Sequence, residues 1–141
     1  MRFVLALLVL AVGAPLAQAQ TNWEIAGAWR GGYVCNQGLT ALRVVITPDV
    51  RGEGVTATFR FGPDASNPGV PQGAFRMHGS FTKSDRRLQL TSVSWISRPD
   101  GYVMVDLDGL MRGSGLYISG DVIGAGCTRF ELVRDDGARI G

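Results

Sequence analysis

Residues Gly27 to Gly38 read G-A-W-R-G-G-Y-V-C-N-Q-G, and the rest of the chain can be organised around them. The two-residue period of an extended backbone puts Trp29, Gly31, Tyr33 and Cys35 on one side of a first strand. Cys35 has one possible intramolecular partner, Cys127, near the end of the chain. A bridge between them ties the first strand to the last, as the seam of a closed antiparallel sheet requires. The loop it closes is roughly 90 residues long, for which chain entropy assigns about 4 to 5 kcal/mol. That is a large share of a small domain's net stability.

Downstream, apolar and polar residues alternate in short runs separated by glycine, proline and aspartate. Leu42, Val44 and Ile46 share one face of Ala41 to Thr47, and Val55, Ala57, Phe59 and Phe61 alternate with Thr56, Thr58 and Arg60. Phe75, Met77, Gly79 and Phe81 repeat the pattern, and Leu88 to Ile96 continues it through Trp95. The R-P-D-G of Arg98 to Gly101 is a tight turn. Tyr102 to Leu110 is read as a strand whose Val103, Val105 and Leu107 face the core. Leu116, Ile118, Gly120 and Val122 mark a seventh strand, and Phe130 and Leu132 an eighth. The proline- and glycine-rich segment Gly62 to Gly73 is read as an ordered surface loop.

No window of the mature chain keeps a helical apolar stripe free of glycine or proline. The expected fold is all-β: a single antiparallel up-and-down barrel of about eight strands, with a flattened sandwich as the alternative. The domain runs over 27–134, after a lead-in at 20–26 and before a frayed tail at 135–141.

The first nineteen residues combine Arg2, an apolar run from Phe3 to Val12 and the small residues Ala17 and Ala19, the pattern of a secretory signal peptide. Cleavage after Ala19 would leave a chain beginning at Gln20, without a cysteine there to carry a lipid. The run is too short to span a bilayer, so no membrane span is expected. Two cysteines in an exported chain of this size are read as a disulfide, in a periplasmic or secreted protein. The formal net charge is +2 and drops to +1 without Arg2. The arginines lie singly along the chain, apart from Arg86 and Arg87, with no stripe to follow a phosphate backbone. Nucleic acid is therefore not an expected partner.

The stretches W-R-G-G-Y-V-C-N-Q-G, V-P-Q-G-A-F-R-M-H-G, S-W-I-S-R-P-D-G-Y-V-M-V and G-D-V-I-G-A-G-C-T-R-F-E-L cover nearly the whole mature chain. Together they resemble an uncharacterised module of exported proteobacterial proteins, the domain at the C-terminal ends of bacterial caspase-like proteins. The resemblance implies no activity for this chain, because the peptidase chemistry of those longer proteins lies in a separate domain. A looser likeness to avidin-type and lipocalin-type barrels concerns topology and the early tryptophan alone.

Chemistry is sparse. His78 is the only histidine, in mid-strand beside Arg76, and no serine stands in a nucleophile elbow, so it is read as an exposed strand residue. One histidine and scattered carboxylates offer no metal ligand set at short spacing, and no cofactor is expected. Asp106 and Asp108 share a strand face and could enter a calcium shell, but cross-strand pairing with arginines such as Arg112 or Arg129 is the simpler reading. Glu24, Glu53 and Glu131 suggest no glycosidase pair.

The aromatic residues carry more. Trp95, Tyr102 and Tyr33, with Arg98, Asn36 and Gln37 supplying polar groups, form a candidate ligand site at a barrel mouth, whereas Trp29 is read as floor. The expected function is a non-enzymatic binding barrel for an envelope glycan or small amphiphile. The alternative is a protein-interaction module, such as an inhibitor of an exported hydrolase presenting the Gly62 to Gly73 loop, or a subunit of an envelope assembly.

Overall fold

Eight strands follow one another with no crossover. They are β1 (Gly27–Cys35), β2 (Gly38–Pro48), β3 (Gly54–Gly62), β4 (Gly73–Thr82), β5 (Arg87–Ser97), β6 (Asp106–Arg112), β7 (Tyr117–Ile123) and β8 (Arg129–Arg134). The computed structural model describes Gly13, residues 23–124 and residues 126–135. The signal-peptide expectation and nearly all of the expected tail lie outside these residues. Each strand pairs antiparallel with the next, and β1 closes on β8 from Trp29 opposite Arg134 to Tyr33 opposite Phe130. The chain is thus the up-and-down barrel expected from the sequence, with no open sheet edge at its seam.

The alternation that predicted the strands also fills the interior. Trp29, Val44, Phe59 and Phe75 are fully or almost fully buried and stand opposite one another in successive registers across β1 to β4. Small residues let the wall coil around them: a methyl group on Gly31 would collide with the Glu131 carbonyl, and one on Gly79 with that of Gln89.

Because the strands alternate in direction, the connections sort onto two ends. One end carries the turns after β2, β4 and β6, together with the lead-in before β1. The other end, the mouth, carries the turn after β1, the loop 63–72, the return segment 98–105 and the β7–β8 turn.

Several expectations need correction. The sixth strand begins at Asp106, so Tyr102 to Val105 is not strand, and Val103 is 54% exposed instead of facing the core. The cause lies in β5, which pairs with β6 only from Arg87 to Leu90 and then carries two register shifts against β4. Past the last pair, Asp106 takes over from the ladder: its carboxylate accepts from the Ser92 amide at 2.8 Å and hydroxyl at 3.0 Å. Without a strand partner, 102–105 has no enforced alternation. Leu116 likewise lies in a turn ahead of β7 and is exposed.

Asp108 pairs with Arg87, through bonds of 2.9 and 2.6 Å, and not with Arg112 or Arg129. Cys127 is bonded to Cys35 as expected, but from the loop leading into β8 and not from a strand. The Cα atoms are 3.8 Å apart, closer than the 4.4 to 6.8 Å usual for disulfides. Asp135, assigned to a frayed tail, is held by its amide bond to the Ala28 carbonyl. Finally, the arginines do form a stripe: register places Arg30 opposite Arg43 and Arg43 opposite Arg60.

Candidate functional site

The two ends are built differently. At the first, the lead-in turns back so that Ile25 is fully buried, and the Trp29 indole donates to the Ile25 carbonyl at 3.0 Å. The Arg134 guanidinium lies 4.2 Å from the centre of the Trp29 ring. It also donates to the carbonyls of Ala26, Glu24 and Gly115. Trp29 is therefore the floor residue expected, with its one polar atom satisfied inside.

The mouth end is closed in part, by Val70 and Val105, which its connections bury. A chain of aromatic contacts rises towards it: Phe59 stacks on Phe75 at 4.4 Å, Phe75 meets Trp95 edge-on at 5.3 Å, and Phe61 stacks on Tyr102 at 5.3 Å. Tyr33 meets Phe59 edge-on at 5.2 Å. Above these rings opens a cavity of about 340 Å³ lined by Tyr33, Asn36, Gln37 and Tyr102, with Val103, Val105, Gly101 and the Cys35–Cys127 disulfide completing its wall.

Four of the six residues singled out from the sequence thus share one cavity. Trp95 and Arg98 do not line it. Trp95 packs against Phe61 and Phe75 below the mouth, and Arg98 lies 5.7 Å over the Trp95 ring while its Nε donates to the Tyr102 carbonyl at 3.1 Å. Their place is behind the site, holding Tyr102. Val103 was missed as a lining residue because it was read as core, whereas Val105 is core as read and also borders the cavity. The tight turn ahead of Val103 is the signal that could have placed it, since that turn carries the chain back across the barrel end.

The polar content of the cavity is neutral. Burial, helped by the nearby Tyr102, pushes the Tyr33 phenol above its ordinary titration range, so it stays protonated and can donate. Neither phenol oxygen has a hydrogen-bond partner among the described residues. Gln37 is anchored by its Nε2 bond to the Thr40 hydroxyl at 3.3 Å. The loop 63–72 supports this turn from outside, where the Asn67 amide donates to the carbonyls of Gln37 and Leu39.

His78 is on the outer wall, exposed, with Asp49 Oδ2 3.8 Å from its Nε2. Among the described residues no group of three or more His, Cys, Asp or Glu is placed to hold a metal, and no helix is long and apolar enough to cross a membrane. No protein-family model, curated protein or solved structure matches the chain.

Proposed function

We propose that this protein is a non-enzymatic binding module of the cell envelope or its surroundings, taking a small uncharged polar ligand at the open barrel end. A single sugar unit of an envelope glycan or the head of a small amphiphile suits the site. The observation that carries this reading is the pair of phenols, Tyr33 and Tyr102, that line a cavity while neither oxygen has a hydrogen-bond partner among the described residues. Polar groups left without partners at the edge of a core cost stability, and a ligand with hydroxyl or carbonyl oxygens would satisfy them. The cavity is at the small end of the ligand-site range, which favours one ring over a long chain. The aromatic faces below supply the apolar surface on which a sugar ring stacks. The disulfide at the rim accords with an oxidising compartment.

A glycan array probed with the labelled protein tests the reading. Binding that survives in Tyr33→Phe only at about tenfold lower affinity, the loss of one net hydrogen bond, supports it. An array without a hit, or hits indifferent to Tyr33→Phe and Tyr102→Ala, would count against it.

The alternative of a protein partner has one specific support. Beyond Leu90, β5 has no strand partner on its β6 side among the described residues, and Val93, Ile96 and Val103 are exposed there. In the inhibitor version, the loop 63–72 would present its exposed residues, such as Ser66 and Gly69, while Val70 and Asn67 tie it to the barrel.

A further inference from the structure

Spacing along the chain hides what the sheet register does to the arginines. Arg30, Arg43 and Arg60 stand directly opposite one another on β1, β2 and β3, all facing outward, and Arg76 extends the row on β4 one step along, opposite Thr58. Like charges directly opposite one another in a sheet are destabilising. Within the described residues one carboxylate answers them: Asp135 lies 3.9 Å from Arg30 and 3.8 Å from Arg43. Arg60 and Arg76 have no ion pair or hydrogen bond among the described residues.

On the opposite wall the charges are mixed and answered: Asp108 pairs with Arg87, and Asp121 on β7 stands opposite Arg129 on β8. A row of like charges that costs stability, with no carboxylate paired to Arg60 or Arg76 among the described residues, calls for an external anion.

We propose that this row is a docking line for a flexible acidic polysaccharide, whose carboxylates pair in turn with Arg30, Arg43, Arg60 and Arg76. Each guanidinium presents the planar fork that matches a carboxylate. The curvature of the wall selects the polymer. From β1 to β3 is two of the eight inter-strand steps of a closed barrel, a quarter of its circumference, over a path of roughly 10 Å at the usual strand spacing. The flanking arginines therefore point in directions about a right angle apart.

A flexible chain can wrap to face both, whereas a planar membrane, or a DNA duplex, which is stiff over roughly 50 nm, would meet the flanking guanidiniums obliquely. Single-stranded nucleic acid would also use stacking platforms, but the exposed aromatics Trp23 and Tyr117 lie off the row, before β1 and on β7. The site is on the outer wall and does not depend on the ligand proposed for the mouth.

Titration of the full chain with polygalacturonate oligomers, alongside oligothymidylate and phosphatidylglycerol vesicles, tests the proposal. Polygalacturonate should bind, weaken with added salt, and lose at least about tenfold in affinity in R43Q/R60Q. The same variant should melt no lower than the parent, since it removes a like-charge opposition. The Tyr33→Phe variant, altered at the mouth, should bind the polymer as the parent does. Failure of the parent to bind polygalacturonate, or unchanged affinity in R43Q/R60Q, would overturn the docking line. Tighter binding of oligothymidylate or vesicles, lost in the same variant, would overturn the choice of polysaccharide.

Discussion

The floor and the mouth of this barrel use the same kinds of residue to opposite ends. At the floor, Trp29 is fully buried, its indole nitrogen is bonded to Ile25, and Arg134 caps its ring while bridging three backbone carbonyls. At the mouth, Tyr33 and Tyr102 also pack against aromatic rings, yet they line a cavity and neither hydroxyl has a hydrogen-bond partner among the described residues. The difference teaches where stability ends and recognition begins: an aromatic with a satisfied polar atom belongs to the core, and one with an unsatisfied polar atom beside open space is available to a ligand.

The sharpest way to break this contrast is truncation at the floor. Trp29→Ala should cost about 3 to 5 kcal/mol, as should Phe59→Ala, read by chemical denaturation. A loss under 1 kcal/mol for Trp29→Ala would mean that the lead-in does not seal the barrel. Next in size is the bridge at the rim. Replacing Cys35 or Cys127 by serine should cost about 2 to 5 kcal/mol, with reductant reproducing the shift in the parent. Tyr102→Ala should cost less than either floor truncation while removing ligand binding, because Tyr102 is only partly buried.

The smallest effect expected is electrostatic. Hydrogen bonds from Arg87 hold the Asp108 carboxyl below its ordinary range. A lowered folded value means that the pair's contribution is present above the unfolded carboxylate range near pH 4 and is lost as the pH falls through the folded value. The pair is partly exposed and screened by solvent, so the contribution should be small. Arg87→Gln should therefore lower stability slightly at neutral pH and leave it unchanged below the folded value, so that the acid limb of the stability profile flattens.

Much of this architecture was legible in the residues themselves. Period-two alternation placed the strands, and a cysteine near each end of the domain predicted the seam. Trp29 was readable as floor because Gly31 and Gly32 let neighbouring backbone approach. What escaped were features that depend on pairing between distant strands. Val103 alternates like a strand residue, and only the early end of the β5–β6 ladder releases it to line the mouth. Trp95 and Arg98 were assigned to the ligand, but the bulged path of β5 sets Trp95 against Phe61 and Phe75 beneath it. The arginine row is the strongest case: thirteen residues separate Arg30 from Arg43 along the chain, and register alone makes them neighbours.

Amide chemical shifts of isotope-labelled protein, followed during titration with a panel of hexoses and N-acetylhexosamines, test most directly whether the mouth is the binding end. Saturable shifts should appear at Asn36, Gln37 and Gly101 to Val103, while Glu24 to Ala26 and Gly113 to Gly115 stay still. Shifts confined to the floor residues, or no saturable shift with any sugar in the panel, would contradict the assignment.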